Sequence, residues 1–244
     1  MRIPQISGLI RRRLLVNFRV DPEVIQRLLP APFRPKLHSG HAIAGMCLIR
    51  LEQIRPKALP AVLGIVSENA AHRIAVTWDD EGGSHEGVYI PRRDTDSFLN
   101  RVAGGRVFPG KHHRAAFYVR ENGERISLRM QSADGLISVA VTGRVGRKLP
   151  ERSVFGSLEE ASKFFQAGSL GYSATAELNR LDGVRLQTSH WRVEPLDVED
   201  VESTYFADKA TFPIGSVIFD CALIMRNVAH QWEAAEDLYV RVAG

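Results

Sequence analysis

The sequence predicts a mainly β fold of the α+β class, in which an antiparallel, barrel-like core carries a few peripheral helices. Apolar and polar residues alternate over short segments separated by Asn-Gly and Asp-Gly pairs, a pattern typical of β-hairpins. Strands and helices do not alternate regularly, so a parallel sheet is not expected. With 244 residues, 44% of them hydrophobic and 25% charged, the chain is long enough to bury one sizeable core.

The first part of the chain predicts a strand, a short helix and two further strands. Residues 14–20 form an apolar, β-rich run. Asp21 and Pro22 then supply the N-cap and the first-turn proline of a helix over residues 24–29. The next β-rich segments are residues 41–54 and 63–78.

The clearest β pattern lies in the middle of the chain. Three alternating segments, joined by an Asn-Gly turn and an Asp-Gly turn, cover residues 115–120, 125–131 and 136–145. Turns of this composition between alternating segments are typical of antiparallel hairpins. We therefore expect these three strands to be neighbours in one sheet.

A capping-box pattern then predicts a second helix. Ser157 is followed three residues later by Glu160, the helix continues through Phe165, and Gly168 is suited to end it. Two more strands, residues 172–178 and 184–191, are expected on either side of an Asp-Gly turn.

Domain organisation and partners follow from what the sequence lacks. We find no internal repeat, low-complexity segment or long linker, so one domain over residues 1–244 is expected. The net charge of +4 comes from 26 scattered arginines and six lysines against 28 acids, without a nucleic-acid-binding motif, so no nucleic acid partner is expected. No apolar run approaches roughly 18 residues, and the first residues lack the apolar stretch of a signal peptide. A cytoplasmic protein without a membrane partner is the expectation.

Metal and redox chemistry are not expected either. Cys47 and Cys221 lie alone in apolar stretches with no CxxC spacing, which favours buried small hydrophobic residues over a disulfide or a metal site. The close histidine pairs have no cysteine or carboxylate at ligand spacing, so no metal is predicted.

Three charged positions are candidates for chemistry. Lys111 follows a loop rich in Gly and Pro, and burial in an apolar cavity would make its amine a nucleophile; a solvated loop lysine is the alternative. Glu68 follows an apolar run and could face a pocket, or could lie at a strand end in solvent or paired with Arg73. Strand alternation would place Arg11 and Arg13 on one face, although three successive arginines are usually a solvated edge.

The order of these features resembles the acetoacetate decarboxylase-like superfamily, and within it one of the uncharacterised domain families. The resemblance begins over residues 11–33, continues through Glu68, reaches residues 105–112 and extends to residues 219–233. It implies an acetoacetate decarboxylase-type barrel and a possible homo-oligomer.

The resemblance also implies an active site. By position, Lys111 matches the Schiff-base lysine of the family, Glu68 its active-site glutamate and Arg11 its arginine. Arg12 or Arg13 could take the role of Arg11 after a small shift in register.

The main departure follows the lysine. His112 stands where the decarboxylases carry a second lysine, and we expect it to act in a supporting position. This difference makes acetoacetate itself a weak substrate candidate.

The sequence thus predicts a Schiff-base-forming lyase, either a decarboxylase or an aldolase- or dehydratase-like enzyme, that acts on a small or medium oxo acid. The lysine imine is itself the electron sink, so no cofactor is required. The alternative is a non-catalytic small-molecule-binding domain of the same fold.

Overall fold

The computed structural model describes residues 5–98, 110–177 and 179–240. The strands are β1 (Ile6–Val20), β2 (Arg34–Pro35), β3 (Leu37–His38), β4 (His41–Pro56), β5 (Ile65–Asp80), β6 (Gly83–Thr95), β7 (His112–Asn122), β8 (Arg125–Ser132), β9 (Ser138–Val145), β10 (Leu170–Ala174), β11 (Arg180–Thr188), β12 (Glu194–Ser203), β13 (Val217–Ala234) and β14 (Leu238–Tyr239). The helices whose bounds fall within the described residues are α1 (Pro22–Leu28), α2 (Leu158–Ala167), α3 (Thr204–Ala207) and a 3-10 turn (Ala61–Leu63). The predicted mainly β fold with a few helices is confirmed.

Both predicted helix starts have the expected caps. Asp21 Oδ1 accepts a hydrogen bond from the backbone N–H of Glu23 at 2.8 Å, which fixes the start of α1. Ser157 Oγ accepts one from the N–H of Glu160 at 3.1 Å at the start of α2. These short-range signals were sufficient because a cap involves only neighbouring residues.

The Asp-Gly pair at residues 182–183 is not a turn, contrary to the sequence prediction. It lies inside β11, where Gly183 pairs with Tyr172 of β10. A Cβ at Gly183 would lie 2.6 Å from the carbonyl oxygen of Glu236, so the glycine permits a close approach of the C-terminal segment.

Two closed rings of strands share one wall among the described residues. The wall consists of β13, β1, β4, β5 and β6, paired in that order. The small barrel is closed by β10 and β11, because β10 pairs with β6 and β11 pairs with β13. The large ring is closed by β7, β8, β9 and β12. β6 pairs in parallel with both β10 and β7, so the sheet is mixed, whereas the sequence predicted an antiparallel core.

Alternate residues of the shared wall face the two rings. Leu14 and Met46 belong to the hydrophobic cluster that contains the buried residues of β8 and β9, inside the large ring. Leu15 and Cys47 belong to the second cluster, inside the small barrel. The wall is therefore apolar on both faces, which explains why its strands read as nearly continuous apolar runs.

Helix α2 lies at one end of the small barrel. Its Phe165 is buried and packs over the guanidinium of Arg73, with the Arg73 Cζ 4.9 Å from the ring centroid. Ser162 accepts a hydrogen bond from the indole of Trp191 at 3.0 Å, which holds the helix against the segment after β11.

No helix within the described ranges combines the length and the apolar character needed to cross a membrane.

Candidate functional site

The small barrel encloses a cavity of about 110 Å³, and each of its seven strands contributes to the lining. The wall is mainly apolar and includes Ile49, Leu51, Val88, Ile90, Val184, Leu186 and Trp232. The polar side chains that line it are those of Arg13, Cys47, Asn69, Arg73, Arg93, Asp94, His112 and Ser169. An apolar cavity with a few convergent polar groups is typical of a small-molecule site.

Arg73 is the most deeply buried of the cationic groups in the lining, with 4% of its surface exposed. Its Nη2 donates a hydrogen bond to Oδ1 of Asn17, while its buried Nε has no hydrogen-bond partner among the described residues. Burial lowers the pKa of Arg73 to about 10, and the nearby Arg13 guanidinium acts in the same direction. The group is still charged at neutral pH.

Arg93 reaches the cavity from β6. Its Nε donates a hydrogen bond to Ser173 Oγ of β10 at 3.0 Å. Burial lowers the pKa of Arg93 to about 10, against the attraction of Asp182. His112 adjoins it at the start of β7, and burial, together with the Arg93 charge, lowers the pKa of His112 to about 3. The imidazole is therefore neutral at neutral pH.

Positive charge in the cavity exceeds negative charge. Within the described ranges, no carboxylate lies within 4.0 Å of the guanidinium groups of Arg13, Arg73 or Arg93. The carboxylate in the lining, Asp94, is held by Arg92, whose Nη2 lies 2.9 Å from its Oδ1. Since buried charges are normally paired, the cavity is electrostatically prepared for an anion.

Lys111 does not line this cavity. Its side chain is exposed, and its backbone N–H donates to the carbonyl oxygen of Ala174 at 3.1 Å. None of the six lysines, all of which belong to the described residues, is in the lining. Lys36 lines a separate void of about 20 Å³ beside Phe165 and pairs with Glu86 at 2.6 Å. The loop that precedes Gly110 lies outside the described residues.

Glu68 is buried, as a pocket residue would be, but it does not line the cavity. Arg12 Nη2 donates to Glu68 Oε2, and Arg50 Nη1 lies 3.4 Å from Glu68 Oε1. Burial raises the pKa of Glu68, and the Arg12 charge opposes that rise. The predicted alternative, a pair with Arg73, is not formed, because residues 68 and 73 of β5 face opposite rings.

Arg11 is also outside the cavity. Its side chain is exposed and donates from Nη1 to Oδ1 of Asn227 at 2.7 Å. The pairing of β1 with β4 shifts by one residue between Ile10 and Arg12, so Arg11 occupies a β-bulge. Alternation is broken there, and the expected common face of Arg11 and Arg13 is not observed. Arg13, left open as a substitute for Arg11, is the arginine of this run that reaches the cavity.

The structure therefore brings Arg13, Arg73, Arg93, His112 and Cys47 together in the cavity wall. It places Lys111, Glu68 and Arg11 outside this wall. Sequence reasoning missed Arg73 and Arg93 as site residues. A signal was available for Arg73, a charged residue within the largely apolar run of residues 70–76. A charge in such a position faces either a partner or a cavity. Arg93 gave no such signal, because it stands between Arg92 and Asp94 in a charged segment.

The family of the chain follows from a comparison with family models. Residues 10–219 match the model of DUF2071, described as an uncharacterized conserved protein. The chain belongs to the DUF2071 family. The matched segment includes strands of both rings of this DUF2071 protein and ends at the start of β13. No curated protein matches the chain.

Solved structures show that this DUF2071 fold is the acetoacetate decarboxylase fold. Acetoacetate decarboxylase from Legionella pneumophila is 11% identical with a TM-score of 0.59, over 95% of this chain and 87% of that one. An acetoacetate decarboxylase-like enzyme from Sphingomonas wittichii is 14% identical with a TM-score of 0.59, over 100% and 95%. The enduracididine biosynthesis enzyme MppR, complexed with pyruvate, is 12% identical with a TM-score of 0.54, over 97% and 90%. The predicted acetoacetate decarboxylase-type fold and the predicted membership of an uncharacterised domain family are confirmed.

Proposed function

We propose that the chain binds a small carboxylate of the oxo acid class in the small barrel. The observation that carries the proposal is the presence of Arg13, Arg73 and Arg93 around an apolar cavity without a carboxylate partner among the described residues. A guanidinium binds a carboxylate through paired N–H donors, so the ligand would supply the missing negative charge. The complex of MppR with pyruvate supports an oxo acid as the ligand.

The size and lining of the cavity restrict this ligand. A volume of about 110 Å³ is well below the roughly 300–1,000 Å³ of sites for drug-sized molecules. The apolar wall suits a short hydrocarbon body next to the carboxylate. We therefore propose a ligand of the size of a short-chain oxo acid, with its carboxylate at the arginines.

Titration calorimetry with pyruvate and with its neutral amide, pyruvamide, tests this proposal. Pyruvate should bind and pyruvamide should bind at least about tenfold more weakly, because charged hydrogen bonds contribute about 1.5–3 kcal/mol. Arg93→Met should weaken pyruvate binding by a similar factor. Arg11→Met is the matched control, because Arg11 is exposed and bonds to Asn227. Equal affinity for the acid and the amide would contradict the proposal.

A second candidate function is the Schiff-base lyase predicted from the sequence, with Lys111 as the nucleophile. It is favoured by the position of Lys111 directly before His112, whose ring lines the cavity. The amine would condense with the ketone of an oxo acid with loss of water, and the iminium would accept the electrons released in the following step. This function requires the side chain of Lys111 to turn from solvent toward the bound acid.

Borohydride reduction in the presence of pyruvate or acetoacetate tests the second candidate. A stable adduct that maps to Lys111 by mass spectrometry and disappears in Lys111→Ala would support it. Lys209→Ala is a suitable control, since Lys209 is also exposed and lies far along the chain after α3. Pyruvate binding without any trapped adduct would leave carboxylate binding as the function and exclude the lyase.

A further inference from the structure

We propose that Cys47 is the nucleophile of this cavity and forms a thioether with small electrophilic carboxylates, namely 2-oxo acids that carry a conjugated carbon–carbon double bond. The inference rests on the proposed binding of carboxylates in the small barrel. It assigns the role of nucleophile to the thiol of Cys47, independently of the amine of Lys111.

The first observation is the position of the sulfur. Cys47 lies on β4 opposite Leu15 of β1 and lines the cavity with 7% of its surface exposed. The Nε of Arg13 donates a hydrogen bond to its Sγ at 3.1 Å. A guanidinium that donates to sulfur stabilises negative charge on it, which is the charge of the reactive thiolate.

The second observation is the surrounding charge. The sulfur of Cys47 also lies close enough to the buried guanidinium groups of Arg73 and Arg93 for a thiolate there to be attracted by both. Arg73 Nε and Arg13 Nη1 are buried without a hydrogen-bond partner among the described residues, so the protein does not satisfy all the donors of these two cavity-lining guanidinium groups. A carboxylate bound there would lie next to the sulfur, and proximity of this kind accelerates a bimolecular reaction.

Cys221 provides an internal contrast. It is fully buried on β13, does not line the cavity, and accepts a hydrogen bond from Asn17 Nδ2 at 3.6 Å. Burial raises the pKa of Cys221 to about 12, and the neighbouring Asp220 charge acts in the same direction. Cys47 therefore lies among arginines in the cavity wall, whereas Cys221 lies outside the cavity beside an acidic residue.

The reaction is an addition that needs no oxidant or reductant. The Cys47 thiol gives its proton to water, and the sulfur attacks the terminal carbon of the double bond. The C–S bond forms while the π electrons move through the conjugated system to the ketone oxygen, and the enolate then takes a proton from water. The net change is addition of S–H across the double bond. The arginines would stabilise the enolate as it forms.

Alkylation rates with iodoacetate and iodoacetamide test the inference in the full chain. The two reagents deliver similar groups, but only iodoacetate carries a carboxylate. We expect iodoacetate to modify Cys47 at least about tenfold faster than iodoacetamide, since charged hydrogen bonds contribute about 1.5–3 kcal/mol. Pyruvate should protect Cys47. Mass spectrometry should place the label on Cys47 and leave Cys221 unmodified.

Two pairs of variants sharpen the test. Cys47→Ser should abolish labelling, whereas Cys221→Ser should not change it. Arg13→Met should slow labelling by about tenfold or more, and Arg11→Met should not. In addition, 2-oxobut-3-enoate should add its whole mass to the wild-type chain and nothing to Cys47→Ser.

The outcomes separate the two proposals. If pyruvate binds but neither reagent labels Cys47, the nucleophile is excluded and the proposed function stands. If both reagents label Cys47 equally and pyruvate does not protect it, the carboxylate class is excluded, and with it the proposed function.

Discussion

Arg12 and Glu68 form a buried ion pair on the face of the shared wall that is turned away from the cavity. Arg12 has 1% of its surface exposed and donates to both Glu68 and Glu121. Arg12 thus joins β1 to β5 through the buried Glu68 and to β7 through the exposed Glu121. Glu68, which the resemblance placed in the active site, therefore lies in a buried ion pair outside the cavity.

Breaking this pair should destabilise the protein. We expect Arg12→Met to lower the free energy of unfolding by about 3–5 kcal/mol, because it leaves the buried Glu68 carboxylate without its closest partner. Urea denaturation measures the change. Arg34→Met is the matched control, since the side chains of the Arg34–Asp79 pair are 56% and 54% exposed and should contribute about 1 kcal/mol or less. A similar small loss in both variants would contradict the prediction.

Removal of a cavity arginine should raise the free energy of unfolding instead of lowering it. Arg73→Met should raise the free energy of unfolding of the ligand-free protein by about 1 kcal/mol, because a buried charge without a carboxylate partner is replaced by an apolar side chain. The same variant should lose the increase in melting temperature that pyruvate produces. Thermal denaturation with and without pyruvate measures both effects. A destabilised variant that still responds to pyruvate would show that Arg73 is structural.

Stability should fall as the pH falls below neutrality. His72 is 1% exposed, and burial, with a contribution from Arg92, lowers its pKa to about 3 from an ordinary value of 6.5. Above pH 6.5 the imidazole is neutral in both states; between pH 6.5 and 3 only the unfolded chain takes up the proton. This group alone should reduce the free energy of unfolding by about 3 kcal/mol between pH 7 and pH 4.

His72→Phe isolates the contribution of this group. The ring of His72 packs on Tyr205, with 4.5 Å between the centroids, so an aromatic substitute preserves the contact. Urea denaturation at pH 7 and pH 4 should show a smaller difference for the variant than for the wild type. His190→Phe, at an exposed position, is the control and should leave the difference unchanged.

Gly45 should not tolerate a methyl group. A Cβ at this position would lie 2.1 Å from the carbonyl oxygen of Val16, across the pairing of β1 with β4. Gly45→Ala should therefore cost about 3 kcal/mol or more, or prevent folding, since backbone must move. Gly156→Ala, where the nearest atom is the flexible carboxylate of Glu160 at 3.2 Å, should change stability little. Circular dichroism on heating distinguishes the two variants.

Local features of the fold were predictable from the sequence. The capped helices and the consecutive strands β7, β8 and β9 follow from contacts between residues close in the chain. Closure of the two rings was not predictable, because residues of β11 pair with residues of β13 that lie more than forty positions later in the chain. Alternation gives no information on which distant strands will meet.

The candidate site was only partly predictable, for similar reasons. His112, predicted to act in a supporting position, lines the cavity, but the bulge at Arg11 broke the alternation that was expected for the arginine run. A single inserted residue in a strand exchanges the two faces for all that follow. Lys111 directly precedes β7, and its side chain is exposed and does not line the cavity.

The shared wall limits the insertions and deletions that evolution can introduce into its strands. Arg12 and Arg13 are neighbours in sequence, yet one supports the large ring and the other faces the cavity of the small barrel. A one-residue slip of β1 would place each in the wrong compartment. An insertion or deletion in β1 should therefore disturb both rings at once, whereas one in β8 or β9 should disturb the large ring alone. Among related proteins, differences in chain length should therefore occur mainly outside the strands of the shared wall.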